Sequence, residues 1–354
     1  MGNDNKCTNF ALLLPIFLQP KMKKIAFIVS SLIGQKKKIL TDINTHFSNL
    51  PGYSYQIMET QRAKHAPELA RQAFLEGYAC IIAVGGDGTL NEVVNGVLLG
   101  AGVFNHLPDL VNQPLRTANL PNAVFEQLKK CVIGVYPAGS GNDFSRTAQV
   151  LRSAEHLKQL IENNKQALVD VGIGLFTPLA AAETACRAFI NATDVGMGGS
   201  ATFFLAQMKS KSWLSPTLQY AKAIVQTFLT YQKQEVAFTG ENFSWQGKMM
   251  SLVMANGKYF GSGLGIAPYA DLSDGQLSAV VLGNVSLWHY LSYLPKLRRC
   301  EVINNPQVRY FNDECISVQS LGQPLYMQMD GELVGTTPVQ VGIMKQCLPM
   351  LVAV

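Results

Sequence analysis

The first half of the chain alternates between short apolar runs and stretches whose apolar residues recur at helical spacing. Such apolar runs are typical of buried parallel strands, and the spaced stretches are typical of helices packed on a sheet. The order predicts right-handed βαβ units and a parallel sheet covered on both faces. The predicted strands are 25–30, 53–59, 79–84 and 131–136, and the predicted helices are 39–50, 66–74 and 153–163.

The pattern changes after residue 163, where strand-like runs become frequent and long helices become rare. This change predicts a second, mainly antiparallel β domain that begins near residue 165. Helical stretches at 198–210 and 216–232 interrupt it, and the apolar stripe of the second is more typical of a core than of a lipid site. The predicted strands are 166–175, 187–194, 245–255, 277–282, 315–319, 325–329 and 348–354.

Two regions fit neither pattern. Residues 1–21 are interpreted as an extension outside the core fold, so the predicted domains are 22–164 and 165–354. The apolar run at 9–19 contains Pro15, is too short to span a bilayer, and lacks the features of a secretory signal. Residues 100–130, rich in Asn and Pro, predict a surface insertion.

Composition narrows the class of protein. The 354 residues are 48% hydrophobic and 15% charged, which indicates a globular chain with enough apolar residues for two cores. Seven scattered cysteines without a CxxC pair indicate reduced thiols in the cytosol and no zinc site. The net charge is +5, with basic clusters at 21–24, 36–38 and 296–299. These clusters either lie on solvated faces or attract nucleotide phosphates or an anionic bilayer surface. No aromatic residues interleave with them, so a nucleic-acid groove is not expected.

A glycine-rich turn at Gly85-Gly86-Asp87-Gly88 directly follows the predicted strand at 79–84. A helix is expected to begin at Thr89, with Thr89 and Glu92 as a capping box. Because glycines lack a side chain, they let backbone N–H groups approach a phosphate oxygen closely, and the helix dipole attracts the same negative charge. The carboxylate of Asp87 could hold the Mg²⁺ that accompanies a nucleotide. The alternative is a plain strand-to-helix turn. The segment matches neither the P-loop nor the GxGxxG fingerprint.

The longer segment GGDGTLNEVVNG resembles the nucleotide-binding motif of the diacylglycerol kinase catalytic-domain family, which includes bacterial lipid kinases, sphingosine kinases and ceramide kinases. NAD kinases share only the shorter GGDG. The resemblance implies nucleotide contacts from 85–89 and Asn91. It also implies a contact from Thr60, at the end of a predicted strand before an Ala-rich helix. The loop at 30–34 departs from the family's Asn-Pro-x-Ser-Gly pattern.

A second glycine-rich segment, PAGSGNDFSR at 137–146, follows the predicted strand at 131–136 and resembles another motif of the same family. Because parallel strands place their carboxyl ends together, both loops can face one ligand. Ser140 is then a candidate for phosphate or ribose, and Asn142 and Asp143 are candidates for ordering a metal and its water. An Asx-rich turn that caps the next helix is the alternative.

Two motifs in the second half extend the resemblance. Residues 256–277 resemble a family segment in which an Asp before Gly and two backbone carbonyls hold a structural Mg²⁺. The resemblance implies that in this chain Asp274 supplies the carboxylate, and Asp271 and Gln276 supply the carbonyls. The alternative is an ordinary Asp-Gly hairpin turn. The DGE at 330–332 resembles the family's catalytic segment, which makes Asp330 or Glu332 the candidate general base toward a lipid hydroxyl.

The resemblance covers about residues 23–350 and implies an N-terminal α/β domain like those of phosphofructokinase and NAD kinase, followed by a C-terminal β-sandwich. It implies a lipid kinase of phospholipid metabolism that uses ATP and Mg²⁺ and samples its lipid at the membrane surface from the cytoplasm. We leave open whether the chain forms a homodimer. The alternatives are an NAD kinase-like enzyme and an inactive nucleotide-binding regulator.

Overall fold

The computed structural model describes residues 22–106, 121–179, 181, 183–208 and 216–353. The predicted extension at 1–21 and the middle of the predicted insertion, 107–120, lie outside the described residues. Among the described residues, no helix has the length and apolar character needed to cross a membrane.

The first half of the chain forms the predicted alternation of strands and helices. Its strands pair in parallel, with β3 between β1 and β4, and β2 at the edge. Residues 103–106 form a short 3₁₀ helix. The elements are β1 (Lys23–Val29), α1 (Lys36–Phe47), β2 (Tyr53–Glu59), α2 (Ala66–Leu75), β3 (Cys80–Gly85), α3 (Asp87–Gly100), α4 (Asn122–Leu128), β4 (Val132–Pro137), α5 (Asp143–Thr147) and α6 (Ala154–Glu162).

The second half is mainly antiparallel β-structure, which confirms the predicted fold class. Its elements are β5 (Gln166–Pro178), β6 (Ala185–Phe189), β7 (Ala192–Gly196), α7 (Met197–Met208), α8 (Pro216–Thr230), β8 (Gln234–Thr239), β9 (Ser244–Met249), β10 (Ser251–Ala255), β11 (Leu277–Leu282), α9 (Leu287–Arg298), β12 (Val308–Asp313), β13 (Cys315–Ser320), β14 (Tyr326–Met329) and β15 (Glu332–Leu351).

One sheet joins the two halves. Its main path runs β12-β11-β10-β7-β14-β15-β4-β3-β1-β2, and β5, β6, β8, β9 and β13 pair outside this path. The junction is the parallel pairing of β15 with β4, where Met350 lies opposite Ile133. Separate apolar clusters fill the core on the β1–β4 side and the core among the antiparallel strands. The domain boundary near 165 stays a prediction, because the sheet is continuous across it.

Two predicted strands are each broken in two. The run at 187–194 divides into β6 and β7, because the backbone N–H groups of residues 190–192 turn away from the ladder to a buried carboxylate, that of Asp330. The run at 245–255 divides at Met250, which separates β9 from β10. A contact far along the chain determines the first break, and the second coincides with a change of pairing partner from β8 to β7 and β11.

The final strand is far longer than the predicted segment at 348–354. β15 spans 20 residues, and its register against β5 shifts near residues 336–340 and again near 344–348. Each irregularity interrupts the alternation of inward and outward side chains by which strands are recognised. The same pattern reading also missed β8, β12 and α9. In α9 the internal Pro295 and the many aromatic residues obscure the helical pattern, although Ser286 caps its N-terminus.

The capping box predicted for α3 is wrong. The helix begins at Asp87, two residues before the predicted start, and its N-cap is Gly86. Thr89 therefore lies in the first turn, where its side chain lies over Gly85. Glu92 instead accepts hydrogen bonds from the backbone at Lys64 and Ala66, where α2 begins.

Candidate functional site

The two glycine-rich loops meet at the carboxyl ends of β3 and β4. Gly85 lies opposite Pro137 in the sheet, and the N–H of Ala138 donates to the carbonyl of Gly85 at 2.7 Å. A Cβ added to Gly86 would lie 3.2 Å from the Cα of Gly139, and a Cβ added to Gly139 would collide with the backbone of Gly86. The loops therefore approach each other as closely as two glycine backbones allow.

The N-terminus of α3 opens onto this junction. No side chain caps it, and the first intrahelical bond is the one from the N–H of Leu90 to the carbonyl of Gly86. The N–H groups of the first helical turn precede that bond, so they have no acceptor within the helix. Free N–H groups together with the positive end of the helix dipole form a favourable site for a phosphate.

Two carboxylates flank the junction. Oxygens of Asp87 and Asp143 lie 3.1 and 3.7 Å from the point that a Cβ of Gly141 would occupy. Burial, followed by repulsion from Asp87, raises the pKa of Asp143 to about 6. Two carboxylates that repel each other beside a phosphate site have the chemistry that a hard divalent cation requires. The residues present therefore fit Mg²⁺, and its binding here stays a prediction.

Asp143 also ties this junction to the second half of the chain. Its carboxylate accepts hydrogen bonds from the backbone N–H groups of Ser262 at 3.0 Å and Gly263 at 2.6 Å. Asp87 in turn accepts a hydrogen bond from the N–H of Phe144 at 3.1 Å. The predicted loops and the glycine-rich segment at 256–265 thus form one connected group.

The other predicted nucleotide residues have different surroundings. Asn142 closes the second loop by two hydrogen bonds with Gly139, and Ser140 is exposed beside it. The hydroxyl of Thr60 accepts a hydrogen bond from the N–H of Ser31 at 2.9 Å, at the tip of β2. Asn91 is 1% exposed and faces the turn at 330–332. Their predicted contacts with a nucleotide stay predictions.

Asp330 is a buried and fully hydrogen-bonded carboxylate. Its oxygens accept hydrogen bonds from the Asn91 side chain at 2.8 Å and from the backbone N–H groups of residues 190, 191 and 192 at 2.8, 3.1 and 3.0 Å. Burial raises its pKa to about 6, and these hydrogen bonds act in the opposite direction. Since each oxygen already has two donors, Asp330 is suited to holding β6, β7 and α3 together.

Glu332 differs from Asp330 in being partly exposed. Its side chain is 34% exposed, and its carboxylate pairs with the guanidinium of Arg187 at 2.7 Å. One of its oxygens is 3.9 Å from the position that a Cβ of Gly88 would occupy, so it faces the first loop. Of the two candidate bases, Glu332 is the more exposed.

Sequence reasoning missed Arg187. Besides its ion pair with Glu332, the guanidinium donates to the Oδ1 of Asn91 at 2.6 and 3.2 Å. It therefore links the helix of the first loop with the strand that carries Glu332. Nothing near Arg187 in the sequence indicates this role, because both partners are distant along the chain.

The predicted metal turn at 271–276 forms a compact Asx-type structure. Asp271 accepts a hydrogen bond from the N–H of Ser273, and Asp274 accepts one from the N–H of Gln276, both at 2.9 Å. The buried Asp170, which the sequence analysis did not single out, accepts bonds from the N–H groups of Gly275 and Gln346. The described residues contain no cluster of three or more acidic, His or Cys side chains for a metal. A metal held by one carboxylate and two carbonyls stays a prediction.

An apolar cavity of about 90 Å³ lies behind the 256–265 segment, between β10, β11 and the helices α8 and α9. Phe260, Gly261 and Leu264 form part of its wall, and the adjacent N–H groups of Ser262 and Gly263 hold Asp143. One short segment therefore separates the candidate phosphate site from the cavity. Asp194 is the only carboxylate among the described lining residues.

The charge of Asp194 is expected to make the stability of the protein depend on pH. Burial raises its pKa to about 6 from an ordinary value of 3.8. Between about pH 4 and pH 6, the folded state therefore binds more protons than the unfolded state. The contribution of Asp194 to stability falls as the pH rises through this range. Replacing Asp194 with Asn should raise the free energy of unfolding at about pH 8 by up to ~3 kcal/mol and leave it unchanged below about pH 4.

Urea titration of the wild-type protein and Asp194→Asn at both pH values measures this difference. Asn preserves an acceptor for the N–H of Gly199 and can donate to the hydroxyl of Ser251, so the local hydrogen bonds remain. An equal effect of the substitution at both pH values would show that the carboxylate is not the cause.

Comparisons with known proteins cover almost the whole chain. Residues 24–196 match the model of the diacylglycerol kinase catalytic domain, and residues 195–354 match that of the YegS C-terminal NAD kinase beta sandwich-like domain. The chain is 26% identical over 320 residues to diacylglycerol kinase from Bacillus subtilis (strain 168), which covers 90% of this chain and 92% of that protein. It is 25% identical over 298 residues to diacylglycerol kinase from Staphylococcus carnosus (strain TM300), which covers 83% of each.

A solved structure of a diacylglycerol kinase from Bacillus anthracis str. Sterne has a similar fold. The TM-score is 0.61 at 18% identity, and the match covers 94% of this chain and 98% of that one. At this identity the likeness concerns the fold, and it agrees with the two-part architecture described above.

Proposed function

Because the chain belongs to the diacylglycerol kinase catalytic-domain family, we propose that it is a lipid kinase that transfers the γ-phosphate of ATP to a hydroxyl of a diacylglycerol-like lipid. The observation that carries this proposal is the segment at 256–265, which has an apolar cavity on one side and the carboxylate of Asp143 on the other. An acceptor with an apolar body and a reactive hydroxyl fits such a site better than a soluble dinucleotide does.

The two glycine-rich loops would bind the triphosphate. The free N–H groups at the start of α3 lie beside the backbone of Gly139, and the hydroxyl of Ser140 is exposed next to them. Asp87 and Asp143 would hold Mg²⁺, which when bound neutralises charge on the β- and γ-phosphates. These groups would fix the γ-phosphate at the junction of the two loops.

Glu332 would act as the general base. The oxygen of the lipid hydroxyl attacks the γ-phosphorus, the bond from that phosphorus to the bridging oxygen breaks, and ADP leaves. The hydroxyl proton passes to the carboxylate of Glu332. Its position beside the first loop and its partial exposure support this role. Arg187 would hold that carboxylate in place.

A transfer assay tests the proposed function. The protein is incubated with Mg²⁺, ATP labelled in the γ-phosphate, and separate panels of diacylglycerols, sphingoid bases, ceramide, isoprenoid alcohols and NAD. We expect label in the organic phase with diacylglycerol. Label in the dinucleotide would instead identify an NAD kinase-like enzyme, and ATP binding without transfer to any acceptor would identify a regulator.

Filling the cavity should change the chain-length preference of the enzyme. Val280 is 1% exposed and lines the cavity from β11. The larger side chain of Val280→Phe would occupy space that a long acyl chain needs. We expect kcat/KM for dioleoylglycerol to fall by about tenfold or more, since each excluded methylene forfeits about 0.8 kcal/mol of burial. Activity on dihexanoylglycerol should change by no more than about twofold. A proportional loss with both substrates would contradict the assignment of this cavity to the lipid.

A further inference from the structure

The helices α8 and α9 form one side of the apolar cavity. Ile224 and Phe228 of α8 line it, as do Tyr290, Tyr293 and Leu297 of α9. The two helices contact each other through Phe228 and Tyr290, whose ring centroids are 5.2 Å apart. One side of each helix therefore faces the cavity.

The opposite side of the same two helices is also apolar. It is defined by five side chains and is called here the outer helical face. On α8, residues 218, 225 and 229 recur at helical spacing, and on α9 residues 288 and 291 lie three apart, so each set shares one side of its helix. Its members are Leu218 at 56%, Val225 at 41% and Leu229 at 75% exposure, with Trp288 at 80% and Leu291 at 41%.

Charge around the outer helical face is positive. Neither α8 nor α9 contains an Asp or a Glu. Lys222 is exposed and lies on α8 in the same helical register as the apolar stripe. Lys296 and Arg298 are exposed at the C-terminal end of α9. Glu301 follows α9 and pairs with Arg299, so the charge along these two helices is still positive in total. Leucine and tryptophan flanked by lysine and arginine, with no acidic residue within either helix, match the boundary between the headgroups and acyl chains of an anionic bilayer.

We propose that the outer helical face docks on the surface of an anionic bilayer, with Leu229 and Trp288 inserted below the headgroups and Lys222 at the level of the phosphates. This proposal rests on the proposed lipid kinase function and specifies where its substrate enters. Only the thickness of α8 and α9 separates the docked surface from the cavity. A lipid would then reach the cavity beside these helices without its acyl chain crossing water.

A second copy of the chain fits the outer helical face less well. A stable dimer buries about 800 Å² of each partner, mostly apolar at its centre. A symmetric contact would bring Lys222 and the basic end of α9 toward their own copies with no acidic partner on either helix. Repulsion between like charges disfavours that arrangement, whereas anionic headgroups neutralise it.

Vesicle flotation tests the proposal on the full-length protein. The vesicles contain phosphatidylglycerol and phosphatidylcholine in equal parts, and a parallel set contains phosphatidylcholine alone. The test variant carries Leu229→Asp and Trp288→Asp. The matched control is Leu75→Asp, because Leu75 is 58% exposed at the end of α2 on the other half of the molecule.

We expect the double variant to bind anionic vesicles about tenfold or more weakly than the wild-type protein, and the control to bind equally well. Lys222→Glu should weaken binding to anionic vesicles and not to neutral ones, which keeps the test decisive if the double variant does not fold. Equal flotation of the wild-type protein and the substituted proteins would overturn the proposal. So would a dimer of the wild-type protein that the double substitution converts to a monomer without a change in flotation.

Activity on dihexanoylglycerol below its micellar concentration separates docking from catalysis. The double variant should phosphorylate this dispersed lipid as the wild-type protein does, within about twofold, because neither substituted side chain lines the cavity. If no protein phosphorylates any lipid while the double variant still loses flotation, docking stands and the proposed function fails. If the double variant loses flotation and dihexanoylglycerol activity together while remaining folded, the substitutions act on the catalytic site, and docking through this face is contradicted.

Discussion

Replacing Glu332 with glutamine is expected to reduce kcat for the lipid substrate roughly a hundredfold to ten-thousandfold, the usual contribution of a positioned general base. The amide keeps the size of the side chain and loses the ability to accept the hydroxyl proton. Arg187 retains its two hydrogen bonds to Asn91, so the arrangement around residue 332 should be preserved. The KM for ATP should change little, because Glu332 is assigned to the acceptor. Steady-state kinetics with each substrate varied in turn measures both quantities.

The control for this substitution is Glu68→Gln. Glu68 pairs with Arg62 on the surface of the N-terminal half, so the variant also loses an Arg–Glu ion pair and a charge. We expect it to have wild-type kinetics. Full activity of Glu332→Gln would remove this residue from the mechanism.

Asp330→Asn should give a different phenotype, although the sequence analysis could not choose between the two carboxylates. Asn would place an NH₂ group against backbone N–H donors that now share the Asp330 carboxylate. An unsatisfied buried donor costs about 1–3 kcal/mol, so this variant should lose stability. A stable Asp330→Asn protein without turnover, beside an active Glu332→Gln protein, would assign the base to Asp330 instead.

The sequence predicted the parts of the site that local pattern controls. The turns at 85–88 and 137–143 each follow a buried strand, and the rule that parallel strands end together was enough to bring them to one place. The same reasoning could not place Glu332 relative to the first loop, because their contact depends on how β15 crosses the sheet.

Long-range pairing explains most of what sequence reasoning missed. Arg187 acquires its role from Asn91 and Glu332, which are 96 and 145 residues away along the chain. In the sequence, Asp170 and Asp194 look like ordinary strand residues. Only the structure shows that Asp170 binds the backbone of the turn at 271–276 and that Asp194 lines the apolar cavity. The helix α9 had a local signal in its Ser286 cap, which Pro295 and the aromatic residues outweighed.

Gly139→Ala is expected to lower the affinity for ATP about a hundredfold, a loss typical of misplacing a binding group by about 1 Å. The added methyl group would collide with the backbone of Gly86, and backbone atoms cannot move aside as a flexible side chain can. The two loops would have to separate, which would spread the N–H groups assigned to the triphosphate. Calorimetric titration with ATP and Mg²⁺ measures the affinity.

Gly34→Ala provides the matched control, because no atom lies within 4 Å of the position of its Cβ and its backbone has no positive φ. This variant should bind ATP as the wild-type protein does. If Gly139→Ala is folded and binds ATP as tightly as Gly34→Ala, contact between the loops is not needed for the nucleotide.

A crystal structure with Mg²⁺ and a non-hydrolysable ATP analogue tests the central claim most directly. We expect the triphosphate at the N-terminus of α3, between Gly86 and Ser140, with its terminal phosphate directed toward Glu332. A polyphosphate bound elsewhere on the molecule, or a terminal phosphate directed away from Glu332, would contradict it.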